Sequence, residues 1–97
     1  TKTKSLEAKI QLNHLYDLQE IYFYTTDKYS NDFNAIDFMP PKNVANGGTA
    51  YYSYEILEAS NSSFKARATA VSDFDRDGIY NVWEIDQDKN LKELVKD

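Results

Sequence analysis

Four acidic residues near the end of the chain have the spacing of a metal-binding loop. The range Asp73–Gly78 reads DFDRDG, and Glu84 lies six residues after the glycine. This fits the D-x-D-x-D-G-x5-E pattern of an EF-hand loop. Alternate carboxylates on a tight turn converge on one point, and a later glutamate can close the oxygen shell around a hard cation. The pattern indicates a candidate calcium site made by Asp73, Asp75, Asp77 and Glu84.

The segments on either side of this motif lack the helical pattern that an EF-hand requires. Residues Phe64–Val71 and Ile79–Ile85 alternate apolar and polar side chains, as strands do. Two interpretations follow. Either Asp73, Asp75 and Asp77 hold Ca²⁺ in a loop that is not an EF-hand, or the loop is a β-turn whose aspartates favour turn formation and solubility.

The other titratable residues do not form a recognisable catalytic set. His14 is the single histidine and the chain has no cysteine, so disulfides and thiol chemistry are excluded. We interpret His14 as a partly exposed structural residue, and Asp17 and Glu20 as part of a solvated helix face. The sequence therefore predicts a protein that is not an enzyme and has no small-molecule substrate. Ca²⁺ is the one candidate cofactor, and no cofactor is certain.

The length and net charge of the chain limit the kinds of partner and the number of domains that we expect. The 97 residues carry a net charge of −5, which disfavours nucleic acid as a partner because phosphates require a basic surface. One small domain, 1–97, is expected. The chain begins Thr-Lys-Thr-Lys, with neither an initiator Met nor the apolar region of a signal peptide. We therefore expect the natural protein to have a segment ahead of Thr1.

The first quarter of the chain, residues 1–26, has the pattern of one long helix. At about 100° per residue, one apolar face collects five side chains: Ala8, Leu12, Leu15, Leu18 and Tyr22. Four more widen the apolar arc beyond what one small sheet would cover: Ile10, Tyr16, Ile21 and Phe23. These four are predicted to form a subunit interface, because an over-wide apolar arc requires a second partner.

Residues 27–50 have turn formers and no periodicity, and residues 51–97 have the pattern of strands and turns. The predicted strands are Tyr51–Leu57, Ser63–Val71 and Ile79–Ile85, with Leu91–Val95 as a further strand or a helical turn. The predicted class is α+β: one long N-terminal α-helix packed on a small antiparallel β-sheet of three to four strands.

These elements resemble, in order and spacing, the type IV pilins and the pseudopilins of type II secretion. Lys2–Lys9 with Leu12 looks like the family's AKTKQSEAKTNL stretch. Later matches are to its IYTAQ, YFAE and YS segments and to its strands; they comprise Leu15-Tyr16, Gln19, Tyr22–Tyr24, Tyr29-Ser30, Tyr52–Leu57, Phe64–Ala68, Asp75–Gly78 and Trp83–Asp86. The likeness covers nearly the whole chain.

The resemblance implies a pilin-like fold and a structural role in a filament used for adhesion, motility, uptake or secretion. It implies that copies of this chain or related pilins are the partners. It also implies an inner-membrane anchor in an apolar half-helix ahead of Thr1, and a place in the bacterial cell envelope, first anchored and then periplasmic or extracellular. Many pilins close their C-terminal region with a disulfide, which this chain lacks, so a loop, an ion or packing must secure the end.

Major pseudopilins carry a calcium loop in the same general region, although its sequence differs from the one here. The resemblance is therefore compatible with a bound ion at Asp73–Glu84. The alternative function is a calcium-binding extracytoplasmic interaction module.

Overall fold

One long helix packs against a four-stranded sheet in the computed structural model, which describes residues 2–72 and 78–96. The elements are the helix α1 (Lys2–Thr26) and the strands β1 (Tyr52–Ala59), β2 (Phe64–Ala70), β3 (Val82–Asp86) and β4 (Lys92–Val95). The strands are antiparallel and lie side by side in the order β1-β2-β3-β4. The predicted α+β class is confirmed, and the ambiguous tail is a strand.

Small side chains on β2 allow α1 to lie close to the sheet. Ala66 and Ala68 point towards the helix and are fully buried, while Lys65 and Arg67 lie on the opposite face. The helix crosses β2 and β3. Its 25 residues extend about 37 Å at 1.5 Å per residue, and the molecule measures 43 Å along its longest axis. The helix therefore runs along most of the molecule.

The segment between α1 and β1 is held down by aromatic and aliphatic side chains. Ile36 and Phe38 are buried, and Tyr29 and Phe33 pack on the core as partly buried residues. A short 3₁₀ turn at Val44–Asn46 precedes β1. This connection has little regular structure, yet its side chains belong to the same core as the helix and the sheet.

The third strand begins later than the alternation predicts. The sequence pattern gave Ile79–Ile85, whereas β3 covers Val82–Asp86 and leaves Ile79 and Tyr80 exposed. The register pairs of β2 and β3 run from Lys65 and Asp86 to Thr69 and Val82, and the Ala70 N–H donates one further hydrogen bond to the Asn81 carbonyl at 2.8 Å. Ile85 is fully buried on the helix side, and Glu84 lies on the other face.

Candidate functional site: the outer face of the helix

One face of α1 packs against the sheet. Ala8, Leu12, Leu15 and Gln19 are completely buried, and their spacing of four, three and four residues places them on a single face. Three of them were expected there from their apolar character. Gln19 was not, because its amide gives no apolar signal in the sequence.

Glu7 fastens this side of the helix to β1. Its carboxylate accepts hydrogen bonds from the Tyr51 backbone N–H to Oε1 at 2.7 Å and from the Tyr54 hydroxyl to Oε2 at 2.6 Å. Burial, followed by the hydrogen bond and negative charge of Glu7, raises the pKa of Tyr54. The Tyr54 hydroxyl therefore stays protonated and remains a donor. These two hydrogen bonds fix which face of α1 is turned towards the sheet and which is turned away from it.

The opposite face of α1 carries four exposed apolar side chains. The exposed fractions are 52% for Leu6, 56% for Ile10, 64% for Ile21 and 89% for Tyr24. At about 100° per residue the four lie within a sector of about 60°, centred roughly opposite the buried face. Exposed apolar residues that share one face are typical of an interaction surface, whereas scattered ones are not.

Polar residues divide this outer face into two apolar patches. Leu6 and Ile10, one turn apart, form the N-terminal patch, and Ile21 and Tyr24 form the C-terminal patch. Asn13, His14 and Asp17 occupy the same side of the helix between them. The His14 ring is 5.9 Å from that of Phe38, so it contacts the connecting segment while its surface stays exposed.

The four residues predicted as an interface are therefore placed in two different ways. Ile10 and Ile21 lie on the outer face. Tyr16 and Phe23 are half-buried and contact their own molecule: the Tyr16 ring is 6.3 Å from that of Phe64, and Phe23 stacks on Tyr29 at 4.8 Å. The partners on β2 and in the connection are distant in sequence, so the helix pattern alone gave no sign of them.

Two outer-face residues were missed by the sequence reasoning. Leu6 and Tyr24 are exposed apolar residues of the outer face, but neither is among the four residues that the sequence pattern predicts as an interface. Their exposure follows from the direction of the buried face, which the contacts with the sheet determine.

Of the candidate calcium ligands, Asp73, Asp75 and Asp77 lie outside the described residues, and Glu84 has other partners. Arg67 donates to Glu84 Oε2 from Nη2 at 2.9 Å and from Nε at 3.3 Å, and Lys65 Nζ is 3.9 Å from Oε1. Both carboxylate oxygens therefore face cationic side chains of β2. To bind Ca²⁺, Glu84 would have to leave Arg67.

The register of the sheet explains this pairing. Glu55, Arg67, Glu84 and Lys92 are successive cross-strand neighbours on β1 to β4, so charges of alternating sign run across the outer face of the sheet. Such opposite pairs stabilise a sheet modestly. Among residues 2–72 and 78–96, no three His, Cys, Asp or Glu side chains are grouped so as to hold a metal ion. Calcium binding stays a prediction for the loop.

We expect Glu84→Gln to lower the free energy of unfolding by about 1 kcal/mol, because it weakens the two-point contact with Arg67. If the loop binds Ca²⁺, the substitution should leave the affinity unchanged, whereas Asp75→Ala should remove it. Chemical denaturation and calcium titration calorimetry measure the two quantities. Glu55→Gln is the matched control, since Glu55 is exposed on an edge strand. A loss of calcium affinity in Glu84→Gln would show that Glu84 is a ligand.

Comparisons with known proteins add no family to this description. No model of a known protein family matches the chain, and no curated protein matches it. Over the part of the chain that the structure describes, no helix is both long enough and apolar enough to cross a membrane.

Proposed function

We propose that this protein is a structural subunit of a filament of the type IV pilus or type II secretion kind, and that it assembles with copies of itself or related pilins. The observation that carries the proposal is the outer face of α1. Ile10 and Ile21 are more than half exposed on a helix whose other side is completely buried. Association would remove these side chains from water, which is the main favourable term in most protein assembly.

A filament requires a contact that repeats without closing on itself. Two separate patches on one long helix suit such an arrangement, because one copy can contact different neighbours with each patch. A stable pairwise interface buries roughly 800 Å² on each partner, which is more than either two-residue patch supplies. Each contact is therefore weak, and the assembly depends on many repeated contacts and on the segment that we expect ahead of Thr1.

The resemblance to pilins extends the proposal to location and anchoring. In such a subunit, α1 continues an apolar half-helix that holds the precursor in the inner membrane of the bacterial envelope and later packs in the filament. The full-length gene tests this directly. A prepilin peptidase site and an apolar stretch ahead of Thr1 are expected, and the lack of both would end the proposal.

We expect Ile10→Ser combined with Ile21→Ser, in the full-length protein in its own cells, to reduce the number of filaments about tenfold or more, because each patch loses an aliphatic side chain. Filaments are counted by electron microscopy. The thermal midpoint of the isolated chain should hardly change, since exposed residues contribute little to the stability of the monomer.

The matched control is Val44→Ser combined with Leu57→Ser, two residues exposed by 42% and 40% but lying outside α1. This control should leave the filaments intact. Normal filament numbers in the helix variant, or an equal loss in the control, would contradict assembly through the outer face of α1.

A further inference from the structure

A groove in the connection between α1 and β1 is independent of the helix face. It has a volume of about 550 Å³ and is lined by Asn31, Asp32, Phe33, Asn34, Phe38 and Met39, among others. This volume is within the range of roughly 300 to 1,000 Å³ that is typical of ligand sites. Its lining combines aromatic rings with short polar side chains.

The wall of the groove is a turn held by its own hydrogen bonds. Asp32 Oδ1 accepts from the Asn34 backbone N–H at 2.9 Å. At the other end, the Phe38 N–H donates to the Phe33 carbonyl at 2.9 Å and the Asp37 N–H to the Asn34 carbonyl at 3.2 Å. Asp37 has a φ of 58°, the left-handed conformation that closes such a turn. The turn is therefore formed before any ligand arrives.

The floor of the groove is attached to the core. Phe38 is buried, and its ring lies 5.3 Å from that of Phe33 and 6.2 Å from that of Tyr54 on β1. Phe33 is only partly buried, so part of its ring is available to a ligand. An aromatic surface anchored in this way loses little freedom on binding.

The rim offers hydrogen-bonding groups. Asn31 and Asn34 are exposed, and across residues 2–72 and 78–96 their side-chain amides have no hydrogen-bond partner. Each amide can donate and accept. Asp32 Oδ1 is engaged by the turn, while its second carboxylate oxygen faces no donor within the same described ranges. The three side chains come from positions 31 to 34, within the hydrogen-bonded turn or directly before it.

We propose that this groove binds a neutral sugar residue of a glycan. A pyranose has C–H faces, which suit the negative face of an aromatic ring, and hydroxyl groups, which match the Asn31 and Asn34 amides and the Asp32 carboxylate. Asp32 and Asp37 lie in the same turn, so their negative charge disfavours an acidic sugar. An apolar peptide would leave the polar rim without partners, which is costly wherever binding removes water.

The test is an NMR titration of the isotope-labelled chain with glucose, galactose, N-acetylglucosamine and N-acetylneuraminic acid. At least one neutral sugar should produce saturable shifts in the backbone amides of residues 31–39, with a millimolar dissociation constant. N-acetylneuraminic acid, the acidic sugar, should produce none there. Asn34→Ala should weaken binding of that neutral sugar about tenfold, because a hydrogen bond to a sugar hydroxyl is lost.

Phe33→Ala should remove binding, but it also disturbs packing on Phe38. Asn34→Ala and Asn31→Ala, both at exposed positions, therefore keep the test decisive. Asn61→Ala, at an exposed asparagine in the turn between β1 and β2, is the matched control and should bind as the unaltered chain does. The proposal is overturned if no neutral sugar shifts residues 31–39, if the shifts lie elsewhere, or if an apolar peptide binds there and sugars do not.

Discussion

Replacing Asn81 with alanine should lower the free energy of unfolding by about 3 to 5 kcal/mol, because four hydrogen bonds are lost at once, one of them buried and three partly buried. Asn81 lies directly before β3 and is 2% exposed. A loss of this size is a large part of the stability of a domain of this length, which is of the order of 5 to 15 kcal/mol. Denaturant unfolding followed by circular dichroism measures it.

The expected loss follows from the way the Asn81 amide is used. Its oxygen accepts from the Tyr52 hydroxyl at 2.5 Å and from Trp83 Nε1 at 2.8 Å. Its nitrogen donates to Glu93 Oε2 at 2.7 Å and to the Val95 carbonyl at 2.8 Å. All the hydrogen bonds that a carboxamide can make are therefore formed, and they connect β1, β3 and β4.

Asn90→Ala is the matched control for Asn81→Ala. The Asn90 side chain is exposed, and it donates one long hydrogen bond, at 3.3 Å, to Asp86. Its removal should cost about 0.5 kcal/mol or less. If Asn81→Ala proved as mild as Asn90→Ala, the amide would not hold the C-terminal strand, and another contact would have to do so.

Asn81 also connects the C-terminal strand to the rest of the sheet. The resemblance to pilins led us to expect that a loop, an ion or packing secures a C-terminal region without cysteine. In the structure, Asn81 ties the backbone of β4 at Val95 to Tyr52 on β1 and Trp83 on β3. Nothing in the residues around position 81 marks an asparagine as buried, since this residue type is usually exposed.

The elements were predictable where a pattern repeats within one segment. Alternation from Phe64 to Ala70 defines the two faces of β2, and the stripe at Ala8, Leu12 and Leu15 defines the buried side of α1. These follow from the strand and helix periods alone. The beginning of β3 was not predictable from its own residues, because it depends on where the register pairs with β2 end.

The candidate site was predictable only in part, for a similar physical reason. An over-wide apolar arc on α1 was visible in the sequence, and Ile10 and Ile21 do lie on the outer face. Whether an aromatic residue at the edge of that arc faces solvent depends on residues elsewhere in the chain. Phe64 covers Tyr16 and Tyr29 covers Phe23, while no comparable ring contact covers Tyr24 within the described part of the chain.

Gln19→Ala should lower the free energy of unfolding by about 2 to 4 kcal/mol, because it opens a cavity and leaves two buried backbone groups unpaired. The Gln19 amide clamps Ser30, donating from Nε2 to the Ser30 carbonyl at 2.6 Å and accepting from the Ser30 N–H at 3.0 Å. Both residues are buried. Hydrogen exchange of the Ser30 amide should accelerate in the variant, since its acceptor is gone.

Gln11→Ala is the control for Gln19→Ala, because Gln11 lies on the same helix and is only partly buried. Alanine favours a helix at least as well as glutamine does, so this change should be nearly neutral. An equal loss of stability in the two variants would attribute the effect to the helix itself and contradict the role of the Ser30 clamp.

Gln19→Glu separates the hydrogen bonds from the cavity, since it keeps the size of the side chain. An ionised carboxylate at this buried position would face the Ser30 carbonyl oxygen, so both burial and repulsion raise its pKa in the folded state above the value of about 4.3 in the unfolded chain. The folded state then binds the proton more tightly, and the stability of the variant relative to the unaltered chain falls as the pH rises above this value.

At neutral pH the Gln19→Glu variant should be strongly destabilised. In acid it should recover much of the difference, because a protonated carboxyl can donate to Ser30 as the amide does. Denaturant unfolding curves of the variant and of the unaltered chain, recorded from neutral pH down into acid, measure this recovery of stability. A difference that does not change with pH would mean that the side chain at position 19 does not face the Ser30 carbonyl.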